Sequence, residues 1–334
     1  ILGNITNTLS KDIQIIKNID VKQPHAPVVI TSSFEIAPLS NLMNVLDIKW
    51  FTPQSSTLHL SYNSHTDRFS SFISIPQLTN GNTTIDSTFL NINNYNGVSV
   101  RFKTATDLKM GHLTTNINLR ALNDTITSSL IWSNVNSSGK PFEGEMFAKT
   151  KLTVSDGYLC SATSILPSQF TLNNTLWQFA HSQVKTSKNH ISINNFALSS
   201  DDGQLISAAG DISDDQSSKL YLNISNIFLD YISDMLPKGT SLSFGGHVSA
   251  NGEISNLLGE IPHINASLKS DNFSFNNTLY GFVDGQCHFD KTNNSLNFAA
   301  KVFNPIETVA LLNGSYSFKD KFLDIFGKAN RMDI

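Results

Sequence analysis

The residues of this sequence that could carry chemistry are scattered along the chain. Nine histidines and two cysteines occur in 334 residues, and His59, His65 and Asp67 come closest to a metal-binding group. Their spacing matches no common set of metal ligands, and solvated loop residues explain them better. We therefore predict no metal site and no cofactor from the sequence.

Cys287 and His288 are the neighbours most suggestive of nucleophilic catalysis. Adjacent residues of a β-strand point to opposite faces, so a thiol and an imidazole placed this way cannot form a dyad. The motifs of phosphate-binding loops, zinc proteases and serine hydrolases do not occur. The sequence thus predicts no catalytic residues and a protein that is not an enzyme.

Two acidic stretches bring carboxylates together, at Asp201-Asp202 and at Asp214-Asp215. Such carboxylates could bind calcium, but Asp in these positions also forms hairpin turns without any ion, and we favour turns. The cysteines, Cys160 and Cys287, could pair with each other or both be buried thiols, and we favour buried thiols.

The composition excludes some classes of function. Charged residues make up 15% of the chain and the net charge is −4, whereas a nucleic-acid-binding protein needs a basic stripe to neutralise phosphates. No window approaches the roughly 18 continuous apolar residues of a membrane-spanning helix. The chain begins with Ile1, so we expect a segment of a longer protein.

Apolar and polar residues alternate along most of the chain, as at Val98, Val100 and Phe102. Turn-forming pairs separate the alternating runs: Asn123-Asp124, Ser138-Gly139, Asp156-Gly157, Asp202-Gly203, Asn251-Gly252, Asn293-Asn294 and Asn313-Gly314. Alternation with a period of two between short turns predicts antiparallel hairpins that have one apolar and one wet face.

We predict an all-β fold, in which a long antiparallel sheet is curled into a trough with an apolar interior. Open sheets rarely exceed about ten strands without curling or splitting. Helical apolar spacing predicts one or two short helices, near residues 39–46 and 226–236. A weak boundary divides an N-terminal part of the trough, residues 1–135, from a C-terminal part, residues 136–334, and one continuous domain fits the pattern equally well.

One stretch of the sequence carries a family resemblance. Residues 245–268 read GGHVSANGEISNLLGEIPHINASL, and they follow ISAAGDIS at 206–213 and LYLNISNI at 220–227. This order resembles the TamB family of translocation and assembly proteins, an AsmA-like family of Gram-negative bacteria. LNNTLWQF at 172–179 and ISINNFAL at 191–198 are similar to the same family. The likeness runs from Phe34 to the end of the chain, which would be a middle segment of such a protein.

The resemblance implies a periplasmic protein, anchored in the inner membrane through an N-terminal segment that lies outside this chain. It implies a non-enzymatic bridge that shields phospholipid acyl chains and conducts them between the inner and outer membranes, in support of outer-membrane biogenesis. The implied partners are phospholipid and an outer-membrane barrel protein of the assembly-insertase kind.

Strand alternation then predicts the residues that line a lipid-binding groove. They are Leu220, Leu222, Ile224, Leu242, Phe244, Val248, Ile264, Ala266, Leu268, Phe273, Phe275, Leu296, Phe298 and Val302. Which face is the inside stays open for any one strand, because a single bulge moves the following side chains to the other face.

Two other kinds of protein fit parts of the same pattern. A structural or adhesive β-sandwich or rod with a sealed core also needs one apolar face on each strand. A β-solenoid enzyme that cleaves polysaccharides would need a carboxylate cluster on one face, and we find none in the sequence.

Overall fold

The structure is a computed structural model, which describes residues 12–13, 27–38, 50–80, 84–108, 111–135, 141–215, 217–235 and 241–330. These residues form 21 β-strands and one short helix. The helix predicted near residues 39–46 lies outside the described residues. Within the described part of the chain, we find no helix that is both long and apolar enough to span a bilayer.

The described chain divides into two compact units, Ile1–Asn174 and Thr175–Ile334. The sequence places a weak boundary at 135–136 instead. In the first unit the strands on the two sides of that position pair directly, with Thr125 opposite Lys151. The sheet of the first unit therefore runs across the predicted boundary.

The strands of the first unit follow one another in a simple meander. They are β1 (Val29–Ile36), β2 (Ser56–Asn63), β3 (Arg68–Thr79), β4 (Thr84–Asn93), β5 (Val98–Leu108), β6 (Gly111–Leu122), β7 (Thr125–Val135), β8 (Phe142–Ser155), β9 (Tyr158–Ile165) and β10 (Ser168–Leu172). Each strand from β1 to β8 is antiparallel to the next. Both β9 and β10 pair with β8, along different parts of its length.

The second unit is also a meander of antiparallel strands. Its elements are β11 (Thr175–Phe179), β12 (Ser182–Ser187), β13 (His190–Ser200), β14 (Leu205–Ser213), β15 (Lys219–Phe228), α1 (Asp230–Met235), β16 (Phe244–Ser255), β17 (His263–Phe275), β18 (Thr278–Asp290), β19 (Ser295–Phe303), β20 (Thr308–Ser317) and β21 (Phe322–Ala329). Both β11 and β12 pair with β13, and each strand from β13 to β21 is antiparallel to the next. The predicted all-β fold with a long antiparallel sheet is confirmed, and it is consistent with a curled trough.

The helix predicted near residues 226–236 is present but shorter. Residues 226–228 still belong to β15, and α1 occupies only Asp230–Met235. Tyr231 of this helix is buried, and its hydroxyl accepts a hydrogen bond from Gln204 Nε2 at 3.1 Å. Gln204 Oε1 in turn accepts one from the Phe228 amide at 3.2 Å. These two hydrogen bonds of Gln204 connect the helix to the end of β15.

Several predicted turns are confirmed by their backbone conformation. Asn123 and Asp124 both have positive φ between β6 and β7, and so do Asp156 and Gly157 between β8 and β9. Asn and Asp, with Gly, tolerate this left-handed conformation better than other residues. These residue types therefore mark the hairpins correctly.

Two of the predicted turns are wrong, because Asn251-Gly252 lies within β16 and Asn313-Gly314 lies within β20. Gly314 has a packing reason to be in a strand, because the Phe298 ring occupies the space where its side chain would lie. Gly252 is directly opposite Leu222, and a Cβ there would meet nothing closer than Ala266 Cβ at 3.5 Å. An Asn-Gly pair therefore does not establish a turn by itself, and at position 314 the glycine allows a close approach instead.

Bulges with a left-handed asparagine interrupt several strands. Asn195, Asn226 and Asn272 each have φ between 52° and 56° and lie where the pairing register shifts. Without the extra residue, the side chains after the bulge would alternate onto the opposite face of the sheet. The inserted residue keeps the next apolar side chain on the same face as the apolar side chain before the bulge. Bulges also bend the strand, as a curled sheet requires.

Candidate functional site

The side chains of the second unit separate into an apolar face and a polar face of the sheet. Directly opposed residues of an antiparallel pair point to the same face, so the pairing register traces rows across the strands. One row holds, from β15 to β20, Leu222, Gly252, Ala266, Cys287, Phe298 and Gly314. The next row holds Ile224, Ala250, Leu268, Gly285, Ala300 and Leu312. We call the face that bears these rows the apolar face.

Most of the predicted groove residues lie on this apolar face. The register places there Leu220, Leu222, Ile224, Val248, Ile264, Ala266, Leu268, Leu296, Phe298 and Val302. The structure thus brings together residues from β15, β16, β17 and β19 that the sequence selected strand by strand.

The other four predicted residues lie near one end of these strands. Phe244 is opposite Phe275, with ring centroids 5.5 Å apart, and Phe273 has its ring centroid 6.4 Å from that of Tyr280. Leu242 precedes β16, lies in no strand and is exposed. The phenylalanines thus take part in two separate aromatic pairs, whereas Leu242 is not part of the rows.

Accessibility varies along the apolar face. Towards one end of the strands Leu220 and Phe289 are 6% and 9% exposed, but in the middle rows Leu268 and Leu312 are 38% and 40% exposed. The turn between β16 and β17 contributes to closing the first end, since the Leu258 amide donates a hydrogen bond to the Ser213 carbonyl at 3.2 Å. Apolar surface therefore stays accessible in the middle of these strands.

The first unit carries an apolar row that the sequence analysis did not single out. Directly opposed residues on β1 to β8 are Phe34, Leu58, Ile73, Leu90, Phe102, Ile117, Leu130 and Met146. Each member is a large apolar residue, and the row crosses eight strands without a polar interruption. Alternation reveals that each of these residues belongs to a strand face, but only the register shows that they are aligned.

Comparison with known protein families, with characterised proteins and with solved structures finds no match to this chain.

The polar face of the second unit contains a recess of about 600 Å³. Its lining includes Tyr221, Asn251, Glu253, Gln286 and His288. Near it, Lys219 Nζ lies 2.8 Å from Glu253 Oε1. Hydrogen bonding to Glu253 raises the pKa of Lys219, and the charge of Glu253 adds to this effect. The lining also includes Leu222, Gly252, Ala266 and Cys287, so polar side chains share this recess with residues of the row through Leu222.

The structure separates the residues that looked reactive in the sequence. Cys287 is opposite Phe298 on the apolar face, and His288 is opposite Asn297 on the polar face, as strand geometry predicts. Cys160 and Cys287 are both free thiols and half-buried rather than fully buried. A Cys287–His288 dyad is thus excluded by the backbone.

The two acidic stretches are turns, as favoured from the sequence. Asp202 lies between β13 and β14 and accepts a hydrogen bond from Thr175 Oγ1 at 2.8 Å. Asp215 lies between β14 and β15, where hydrogen bonds from the Ser217 amide and hydroxyl lower the pKa of its carboxyl group. Both stretches therefore lie in turns whose carboxylates accept hydrogen bonds from the protein.

Proposed function

We propose that the apolar faces of this protein shield phospholipid acyl chains and conduct them along the sheet. The observation that carries the proposal is the uninterrupted row of large apolar residues from Phe34 to Met146, which crosses eight strands. The accessible middle rows of the second unit, with Leu268 and Leu312 exposed by more than a third, support it further.

The energetics suit a carrier that has no chemical step. Burial of an acyl chain is favourable by about 0.8 kcal/mol for each methylene. The hydrophobic effect is non-directional, so neighbouring positions on a row of similar apolar residues hold the chain about equally well. A lipid tail can then move from strand to strand without a large barrier.

The middle rows of the second unit suit this use because many of their residues are small. Gly252, Ala250, Gly285 and Ala300 lie among Leu222, Ile224, Leu268 and Phe298. Small residues leave space beside larger ones, and the proposed acyl chain lies in that space.

The resemblance of residues 206–268 to the TamB family supports the cellular setting of the proposal. In this setting the protein is periplasmic and spans the space between the two membranes as part of a longer, inner-membrane-anchored chain. Its partner is then an outer-membrane barrel protein of the assembly-insertase kind, and its role is to support outer-membrane biogenesis.

Site-specific photo-crosslinking at neighbouring residues tests the proposal directly. A benzophenone amino acid is placed at Leu268 on the apolar face or at Ser267, which is exposed on the polar face of the same strand. The chain is expressed in a Gram-negative host, irradiated and analysed by mass spectrometry for covalently attached phospholipid.

The proposal predicts phospholipid adducts at position 268 and few at position 267. Equal labelling at the two positions would indicate nonspecific contact with lipid, and the proposal would then be wrong. A folded protein without adducts at either position would instead support a structural or adhesive β-protein.

A further inference from the structure

On the face of the first unit opposite the row from Phe34 to Met146, the strand register brings three potential metal ligands together. Asp86 of β4, Asp107 of β5 and His112 of β6 each offer a ligand atom, and these atoms all lie within 4.8 Å of one another. Asp107 is directly opposite His112, and His112 Nδ1 lies 2.9 Å from Asp107 Oδ1. Three neighbouring strands of one hydrogen-bonded sheet therefore fix the backbone of the group.

We propose that Asp86, Asp107 and His112 bind a zinc ion. An imidazole with two carboxylates is a ligand set that Zn²⁺ accepts, with a water molecule at the remaining position. Mg²⁺ and Ca²⁺ prefer oxygen ligands alone, so the histidine favours a transition metal. The two carboxylates also balance the charge of the ion.

The surroundings of Asp86 fit a metal ligand. Gln77 on β3 is directly opposite Asp86, and its Nε2 donates a hydrogen bond to Asp86 Oδ1 at 3.1 Å. Carboxylates bound to a metal are commonly oriented by such outer hydrogen bonds. The residue opposite Asp86 on the other side is Ala105, which is buried.

A second His–Asp pair provides a matched comparison. His190 Nε2 lies 3.0 Å from Asp211 Oδ1, and the two side chains are 44% and 48% exposed. The His112 and Asp107 side chains are similar at 41% and 55%. Among the described residues, the His190 pair has no third such ligand within reach, whereas the His112 pair has Asp86. The third ligand distinguishes a metal site from an ordinary surface ion pair.

Calorimetric titration of the full chain with zinc chloride, after removal of metals by a chelator, tests the proposal. We expect His112→Ala and the nearly isosteric Asp86→Asn to lose one bound zinc ion per chain relative to the unaltered protein. His190→Ala should retain that ion, and Gln77→Ala should weaken its binding by about tenfold, as the loss of an outer hydrogen bond does.

Cobalt substitution gives a second readout, because the visible absorption of bound Co²⁺ reports its ligands. We expect an absorption band that His112→Ala removes and His190→Ala retains, with circular dichroism showing that both variants are folded. Equal zinc binding by the unaltered protein, His112→Ala and Asp86→Asn would overturn the proposal. So would an unaltered protein that binds no zinc.

Discussion

The ring of Phe298 on β19 covers Gly314 on β20, and a side chain at position 314 would overlap both this ring and the Asp324 carbonyl. The glycine thus allows a large aromatic residue to lie flat on the apolar face. Gly327 on β21 differs, because a Cβ there would meet nothing closer than Leu312 Cδ1 at 3.7 Å.

Gly314→Ala should destabilise the protein by about 1–3 kcal/mol, since overpacking forces side chains and backbone to shift. Gly327→Ala is the matched control and should change the free energy of unfolding by less than about 0.5 kcal/mol. Urea denaturation of the two variants measures both values. Equal stability of the two variants would show that the Phe298 ring does not need the space at position 314.

Leu222→Asp should reduce the yield of phospholipid crosslinks at Leu268, because a carboxylate on the apolar face makes burial of an acyl chain unfavourable. Asn223→Asp introduces the same charge on the next residue, which points to the other face, and should leave the yield unchanged. Circular dichroism establishes that both variants are folded. A Leu222→Asp variant that unfolds would show instead that position 222 belongs to a sealed core.

Asn195→Val should destabilise the protein by about 1–3 kcal/mol, because a β-branched residue is strained at positive φ. Asn195 has a φ of 54° at the bulge of β13. Asn195→Gly should keep the stability within about 0.5 kcal/mol, because glycine adopts this conformation readily. If both variants were equally unstable, the asparagine side chain rather than the backbone conformation would be responsible.

The lowered pKa of His263 should make the free energy of unfolding depend on pH. Burial lowers the pKa of His263, and the charge of Lys291 lowers it further, while its ring stacks on Phe289 with centroids 4.1 Å apart. As pH falls below about 6.5, the unfolded chain takes up this proton before the folded chain does. The contribution of His263 to stability is therefore present above that pH and is lost as pH falls towards the lower pKa of the folded state.

The free energy of unfolding should fall between about pH 7.5 and about pH 5.5, and it should fall less in His263→Phe, which retains an aromatic ring. The carboxyl groups of Asp215 and Asp290, whose pKa values are lowered by hydrogen bonds, act at more acidic pH and do not disturb this window. An equal decrease in both proteins would assign the effect to other histidines.

The strand faces were predictable from the sequence because alternation is a local property. Leu220, Leu222 and Ile224 reveal their common face without any knowledge of neighbouring strands. The bulge at Asn272 is different, because it moves Phe273 relative to Leu268 by inserting a residue, and nothing in the alternation marks the insertion. The Asn251-Gly252 pair predicts a turn from residue types alone, although it lies within β16.

The sequence alternation does not predict which residues of neighbouring strands lie opposite one another. The row from Phe34 to Met146 depends on the register of seven pairs of strands, and register depends on turn geometry and on bulges. Asp86, Asp107 and His112 come from three different strands. Their proximity therefore depends on two registers, and no sequence motif of fixed spacing indicates it. Among the residues that the structure describes, His59 and His65 do not belong to such a group.

The meander order of the strands allows the sheet of the second unit to become longer or shorter by whole hairpins. Among the described residues, each strand from β14 to β21 pairs only with the strands before and after it along the chain. Removing or duplicating one hairpin therefore leaves every other pairing, and the direction of every other strand, as it was. Proteins built from such nearest-neighbour contacts gain or lose whole units without redesign of the remainder. The distance that such a sheet covers could thus be adjusted in evolution in steps of two strands, about 10 Å each.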